Sequence, residues 1–139
     1  MPGAMIVTPL YAALLALWFI ALSLHVIRCR REARVSLGDG GNAPLQRAVR
    51  AQANFAEYVP LALVLLLVLE LSRHSIYLLH AIGATLLVAR LLHGYALAWR
   101  SAFRAGRVWG AALTFIVLLV EAALCLYQAW RGHLIWFTA

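Results

Sequence analysis

The fold is decided by one stretch of sequence, RAVRAQANFAEYVPLALVLLLVLEL, which occupies residues 47–71. Its first half carries charged and amide side chains, and its second half is apolar up to Glu70. At 100° per residue, four polar side chains fall on one helical face, three or four residues apart: Arg47, Arg50, Asn54 and Glu57. Over this distance a helix rises about 15 Å. The stretch therefore predicts a helix that carries a polar face into a membrane.

The composition excludes most soluble proteins. Of 139 residues, 65% are hydrophobic and only 12% are charged, and the mean hydropathy is +0.86. A soluble domain has about a quarter of its residues charged, so a cytosolic enzyme, a disordered chain and a nucleic-acid-binding domain are excluded despite a pI near 10.5. Since each span needs roughly 20 apolar residues, we predict a single all-α membrane domain, residues 1–139. Its four transmembrane helices are expected near 5–27, 44–71, 76–99 and 108–130.

The basic residues, all arginines, predict the orientation. Nine lie between the first and second apolar runs or between the third and fourth: Arg28, Arg30, Arg31, Arg34, Arg47, Arg50, Arg100, Arg104 and Arg107. Arg73 and Arg131 lie on the opposite side. Because arginine-rich loops stay in the cytoplasm, we expect both termini on the non-cytoplasmic side. Arg28, Arg31 and Arg34 are expected to bind anionic lipid headgroups of the membrane, and the sequence has no HExxH or CxxC motif that would predict a metal site.

Charges at membrane depth admit two interpretations. Arg90 is predicted to lie at the depth of Glu57 and to form an ion pair with it, and His93 follows one turn below Arg90. In one interpretation the polar face of residues 47–57 only holds the helices together. In the other it is a site for a charged small molecule that enters from the cytoplasm. Glu121 receives no predicted function.

Residues 47–60 closely resemble the signature of the MAPEG family, the membrane-associated proteins of eicosanoid and glutathione metabolism. The signature has an arginine, an asparagine four residues later and a glutamate three residues after that, then an aromatic residue and a proline. Arg50, Asn54, Glu57, Tyr58 and Pro60 stand at those positions. The segment ARLLHGY, residues 89–95, is similar to the arginine-led part of the family's third helix. The glycine-rich loop 38–41 is more like the small bacterial inner-membrane members. The resemblance covers residues 5–130.

The resemblance implies a homotrimer that holds glutathione in clefts between subunits, open to the cytoplasm. The implied substrate-binding residues are Arg30, Arg50, Gln52, Asn54, Glu57 and Tyr58, to which we add Arg90 and His93 on the third helix. Guanidinium groups can grip the two carboxylates of glutathione in bidentate fashion. Glu57 can accept its ammonium group.

The resemblance also implies a catalytic arginine before the fourth helix, and Arg104 is the best match, with Arg100 as the second choice. A guanidinium near the thiol favours the nucleophilic thiolate. The expected function is that of a bacterial inner-membrane glutathione transferase or peroxidase. Glutathione would be the co-substrate, and the acceptors would be lipophilic electrophiles from the bilayer. The alternative is a non-catalytic binding or structural protein of the same fold. His93 and Leu97 stand where the eicosanoid-metabolising members have two tyrosines. We do not expect this chain to use the eicosanoid substrates of those members.

Overall fold

The computed structural model describes residues 5–138, with side chains described through His133. Four helices follow one another along the chain: α1 (Val7–Ala33), α2 (Ala43–Leu71), α3 (Ile76–Ala98) and α4 (Arg104–Thr138). Each of them is long and apolar enough to cross a membrane. Even α3, with 23 residues, spans about 34 Å, against roughly 30 Å of hydrocarbon. The prediction of an all-helical chain with four spans is confirmed, while residues 1–4 and 139 of the predicted domain lie outside the described residues.

Three helix ends differ by four or more residues from the predicted bounds: the end of α1, the start of α4 and the end of α4, which continues to Thr138 instead of ending near residue 130. Helix α1 does not stop near Ile27 but continues to Ala33, so the arginine cluster lies on its last turns rather than in a loop. Basic side chains near a helix C-terminus are favoured by the helix dipole, and Arg28 also bonds to Glu32 one turn later, at 2.8 Å. Helix α4 begins at Arg104 instead of near residue 108. Apolarity therefore marks where a span lies, but it does not mark where a helix ends.

The loop between α1 and α2, residues 34–42, is fixed at both ends. Arg30 donates from Nη1 to the carbonyl oxygens of Ser36 and Gly38, at 3.3 and 2.8 Å. Asn42 caps α2, since its Oδ1 accepts from the backbone N–H of Leu45 at 2.9 Å. These bonds hold the loop against the ends of both helices.

The packing centres on α2 and α3, which contact each other, while α1 and α4 each contact both of them. Within the described residues α1 and α4 do not touch. Fully buried leucines from three helices form the centre of the core: Leu15, Leu22, Leu66, Leu69 and Leu86. Other large apolar side chains stay exposed on the outside, such as Leu17 at 65% and Leu119 at 70%. This distribution is typical of a chain surrounded by lipid, because the acyl chains of the lipid cover apolar side chains that would be unfavourable in water.

The start of α1 is held by the end of α2. The Glu70 carboxylate accepts from the backbone N–H groups of Ile6, Val7 and Thr8, at 2.7, 2.8 and 2.7 Å. The first amides of a helix lack partners within it and carry the positive end of its dipole. Glu70 therefore closes the bundle at the end opposite the loop 34–42.

Candidate functional site

Arg50 and Glu57 form an ion pair on the outer face of α2. Arg50 Nη1 lies 3.1 Å from Glu57 Oε1, and the two side chains are 62% and 44% exposed. They are seven residues apart, so two helical turns place them on the same face. The predicted pairing of Glu57 with Arg90 is wrong, because Glu57 points away from the bundle and toward Arg50.

Arg90 instead lies buried where α2, α3 and α4 meet, and it is 2% exposed. Its Nη1 donates to Asn54 Oδ1 at 3.1 Å, and its Nη2 donates to the Gly110 carbonyl oxygen at 3.2 Å. The guanidinium carbon lies 5.9 Å from the centre of the Tyr58 ring, and that ring meets Phe115 edge-on. We call Arg90, Asn54, Tyr58 and Gly110 the buried seam. It holds its arginine with neutral oxygens and a ring face rather than with a carboxylate.

Close approach of α3 and α4 makes the buried seam possible. A side chain on Gly110 would place its Cβ 2.7 Å from the Ala89 carbonyl oxygen and 2.7 Å from His93 Cβ. Only glycine fits this position, and its absent side chain lets the Gly110 carbonyl approach Arg90. His93 therefore lies in the α3–α4 contact, buried at 9% exposure.

A cavity of about 430 Å³ lies where the loop 34–42 meets the start of α2. Its lining includes Arg30, Asp39, Gln46, Arg47, Arg50 and Leu97. We call it the loop cavity. Three guanidinium groups against one carboxylate give it an excess of positive charge, and its volume lies within the range of about 300–1,000 Å³ for small-molecule sites. It is suited to a small anion with more than one acidic group.

The structure divides the predicted site residues among four places. Arg30 and Arg50 line the loop cavity, and Glu57 extends it along α2 through its bond to Arg50. Asn54, Tyr58 and Arg90 belong to the buried seam, next to His93.

Two predicted residues lie elsewhere. Gln52 turns toward α1, where its Nε2 donates to Ser23 Oγ at 2.8 Å. Arg104 is exposed at the first turn of α4 and does not line the loop cavity of its own subunit. The second choice, Arg100, donates from Nε to the Tyr95 hydroxyl at 3.2 Å.

The other three polar residues of the cavity lining, Asp39, Gln46 and Arg47, are not among the predicted substrate-binding residues. Helical spacing does place Arg47 on the same face as Arg50, one turn before it, and Gln46 lies beside Arg47. Asp39 lies in the glycine-rich loop, where its Oδ1 accepts from the backbone N–H of Gly41 at 3.0 Å. No local pattern shows that this loop folds back onto α2. Among the described residues, no group of three His, Cys, Asp or Glu side chains could hold a metal ion.

Comparison with known proteins identifies the family of this chain. The MAPEG family model matches residues 8–127 of the chain, which include both the loop cavity and the buried seam. The chain belongs to the MAPEG family. It is therefore a membrane protein.

A relative of known location is the inner membrane protein YecN of Escherichia coli. This MAPEG chain and YecN are 38% identical over 125 residues, which cover 90% of this chain and 95% of YecN. YecN from a second E. coli strain matches to the same extent. Both relatives match nearly the whole chain, from the membrane spans to the loops that join them.

Proposed function

We propose that this MAPEG protein binds glutathione at the α2 face formed by the loop cavity and the Arg50–Glu57 pair. The proposed activity is the transfer of glutathione to lipophilic electrophiles that arrive from the bilayer, or the reduction of lipophilic peroxides. Family membership supports this substrate, and the arrangement of charge on α2 supports the location.

The observation that carries the proposal is the exposure of the Arg50–Glu57 pair on a helix that crosses a membrane. Charges that face hydrocarbon are costly and are retained where they serve a ligand or a water-filled cleft. The pair offers a guanidinium for a carboxylate and a carboxylate for an ammonium group. Glutathione has both groups, and the guanidinium groups of Arg30 and Arg47 lie in the adjoining cavity for its second carboxylate.

The same exposure supports a homotrimer. The buried seam uses the inward side of α2, and on the outward side Glu57 stays 44% exposed within one subunit. A neighbouring subunit would turn this open face into a cleft that excludes lipid but admits water from the cytoplasm. We propose that the loop 34–42 lies on the cytoplasmic side of the inner membrane, with both termini on the other side.

In the proposed chemistry, Arg104 acts on sulfur. It is exposed at the start of α4 and outside the loop cavity of its own subunit, so it would reach glutathione held by a neighbouring subunit. There its charge would lower the pKa of the glutathione thiol and raise the thiolate fraction. The thiolate then attacks the electrophile and displaces its leaving group.

The placement of the arginines before α4 also supports the alternative, a non-catalytic glutathione-binding protein. Arg104 has no contact with the loop cavity, and Arg100 is bonded to Tyr95. If no arginine reaches the thiol, the protein binds glutathione but does not activate its thiol. The two functions share the α2 site. They differ only in whether an arginine activates the thiol of the bound glutathione.

The test of the proposed function measures binding, thiolate and turnover on one purified sample in mild detergent. Equilibrium dialysis with radiolabelled glutathione gives the dissociation constant, and difference absorbance in the near ultraviolet gives the thiolate fraction. Turnover is followed with a chromogenic aryl halide, and native mass spectrometry gives the subunit number. We expect saturable binding to a trimer, thiolate at neutral pH and conjugation.

Arg104→Ala and Arg100→Ala are the matched variants. Arg104→Ala should bind glutathione with the affinity of the wild type but lose both the thiolate signal and turnover. Arg100→Ala should keep the thiolate signal and turnover. Saturable binding with no thiolate in the wild type establishes the non-catalytic alternative. Absence of saturable glutathione binding contradicts the proposal, and a folded monomer contradicts the intersubunit cleft.

A further inference from the structure

A second cavity lies at the opposite end of α2 from the loop cavity. It has a volume of about 440 Å³ and lies between the α2–α3 turn, residues 72–75, and the last described turns of α4. Its lining includes Ser72, Arg73, His74, Tyr127, Gln128 and Arg131. We call it the turn cavity. It is separate from the proposed glutathione site, since α2 runs 29 residues between them.

The turn cavity has an excess of positive charge. Arg73 and Arg131 form no ion pair with a described carboxylate, and Arg131 lies over the Tyr127 ring at 5.9 Å. The acid nearest in sequence, Glu70, is already bonded to three backbone N–H groups at the start of α1. Both guanidinium groups therefore keep donors for an anion from outside the chain.

The cavity also has an acceptor without a partner. Gln128 donates from Nε2 to Ser72 Oγ at 2.5 Å, which fixes the orientation of its amide. Its carbonyl oxygen is buried and has no hydrogen-bond partner among the described residues. Buried acceptors of this kind are normally satisfied, so this oxygen can accept from a donor outside the chain, such as a hydroxyl.

The neighbouring side chains place the turn cavity at the depth of lipid headgroups. Tyr127 and Trp130 are 55% and 61% exposed, and their rings lie 6.4 Å apart. Exposed aromatic pairs of this kind are typical of the membrane–water interface, with their polar ends toward the headgroups. Leu126 beside them is 71% exposed and offers apolar surface for an acyl chain.

We propose that the turn cavity binds the phosphate group of an anionic glycerophospholipid. Arg73 and Arg131 donate to the phosphate oxygens, and the Gln128 carbonyl accepts from a headgroup hydroxyl. A zwitterionic choline headgroup offers neither net charge nor a hydroxyl donor, so the site discriminates against it. Phosphatidylglycerol has both features and is the probe of choice.

The experiment is photocrosslinking in proteoliposomes of the full chain. The probe is phosphatidylglycerol with a photoreactive group on its acyl chain near the glycerol, and labelled residues are mapped by peptide mass spectrometry. We expect labelling within residues 124–131 that unlabelled phosphatidylglycerol competes away and phosphatidylcholine does not. In Arg73→Gln/Arg131→Gln this labelling should fall at least about tenfold, the loss expected for one charged hydrogen bond.

The matched control is Arg31→Gln/Arg34→Gln, which removes the same charge at the other end of the bundle. It should change labelling of residues 124–131 less than about twofold. The single variant Arg131→Gln, whose side chain is exposed, provides the same comparison if the double variant melts early. Unchanged labelling in the Arg73 and Arg131 variants, or equal competition by phosphatidylcholine, overturns the proposal.

A further arm separates the two sources of phosphate. Millimolar inorganic phosphate or glycerol 3-phosphate should leave the labelling intact, because neither has an acyl chain for the apolar flank. Full competition by these soluble anions would show that the cavity takes free phosphate, and it would overturn the assignment to a lipid. The result does not depend on glutathione, so the proposed function stands or fails separately.

Discussion

Arg50 and Arg90 lie on adjacent helices and occupy opposite environments. Arg50 is exposed and pairs with Glu57 at 3.1 Å. Arg90 is 2% exposed, and in the part of the chain that the structure describes its guanidinium meets no carboxylate, but the oxygens of Asn54 and Gly110 and the face of Tyr58. One helix, α2, supplies partners to both arginines, from its outward and its inward side.

The difference separates binding from folding. An exposed ion pair contributes about 0–1 kcal/mol to stability, so the Arg50–Glu57 pair is free to exchange its internal partners for a ligand. The bond of Arg90 to Gly110 is buried and its bond to Asn54 is partly buried, so removing the guanidinium leaves acceptors with poor access to water. We therefore assign ligand binding to the exposed pair and cohesion of α2, α3 and α4 to the buried seam.

The largest expected effect comes from Arg90→Ala. It leaves Asn54 Oδ1 without its donor and opens a space between three helices, so we expect a loss of about 3 kcal/mol in the free energy of unfolding. Thermal melting in detergent measures it, with Arg50→Ala as the control that removes the same side chain from the surface. Equal melting of the two variants would contradict the division of roles.

The second effect concerns the glycine in the same seam. Gly110→Ala should cost about 1–3 kcal/mol, because the new Cβ meets the Ala89 carbonyl oxygen and His93 and must push α4 away from α3. Gly132→Ala is the control, since a Cβ there meets nothing within 4 Å; it should leave stability unchanged or raise it slightly. A Gly110→Ala variant that melts like the wild type would contradict the close approach of α3 and α4 at this point.

The smallest effect on stability is expected from Glu57→Gln. The sequence alone predicts a large loss, because Glu57 is expected to neutralise Arg90 there. Among the described residues Glu57 bonds to exposed Arg50 alone, so the loss of unfolding free energy should stay below about 1 kcal/mol. Chemical denaturation of Glu57→Gln beside Arg90→Ala measures the difference, and a cost above 3 kcal/mol would restore the predicted Arg90–Glu57 pair.

Much of the fold could be predicted from sequence because lipid imposes a simple pattern. Apolar runs mark four spans, and helices satisfy their own backbone within a membrane. The ends could not be predicted as well, since Arg28 to Ala33 continue α1 outside the apolar run. The role of Glu70 was also missed: its partners Ile6, Val7 and Thr8 lie more than 60 residues away in sequence, and no local spacing shows such a contact.

The site could be predicted in part, for a related reason. Helical spacing placed Arg50 and Glu57 on one face of α2, as they are in the structure. It also placed Asn54 on that face, whereas in the structure Asn54 accepts from buried Arg90. This contact depends on how α3 packs against α2, which spacing along one helix does not show. Comparable depth also made Arg90 a plausible partner for Glu57, although depth along a helix says nothing about the direction a side chain takes.

The most direct test of the division between the two arginines is the glutathione affinity of Arg50→Gln, measured by equilibrium dialysis beside its melting temperature. Loss of a charged hydrogen bond to a carboxylate costs about 1.5–3 kcal/mol, so the dissociation constant should rise by roughly 10- to 150-fold. The melting temperature should stay within about 2 °C of the wild type, because an exposed pair contributes little. An unchanged affinity, or a fall in affinity that only accompanies early melting, would contradict the assignment of the exposed α2 face to glutathione.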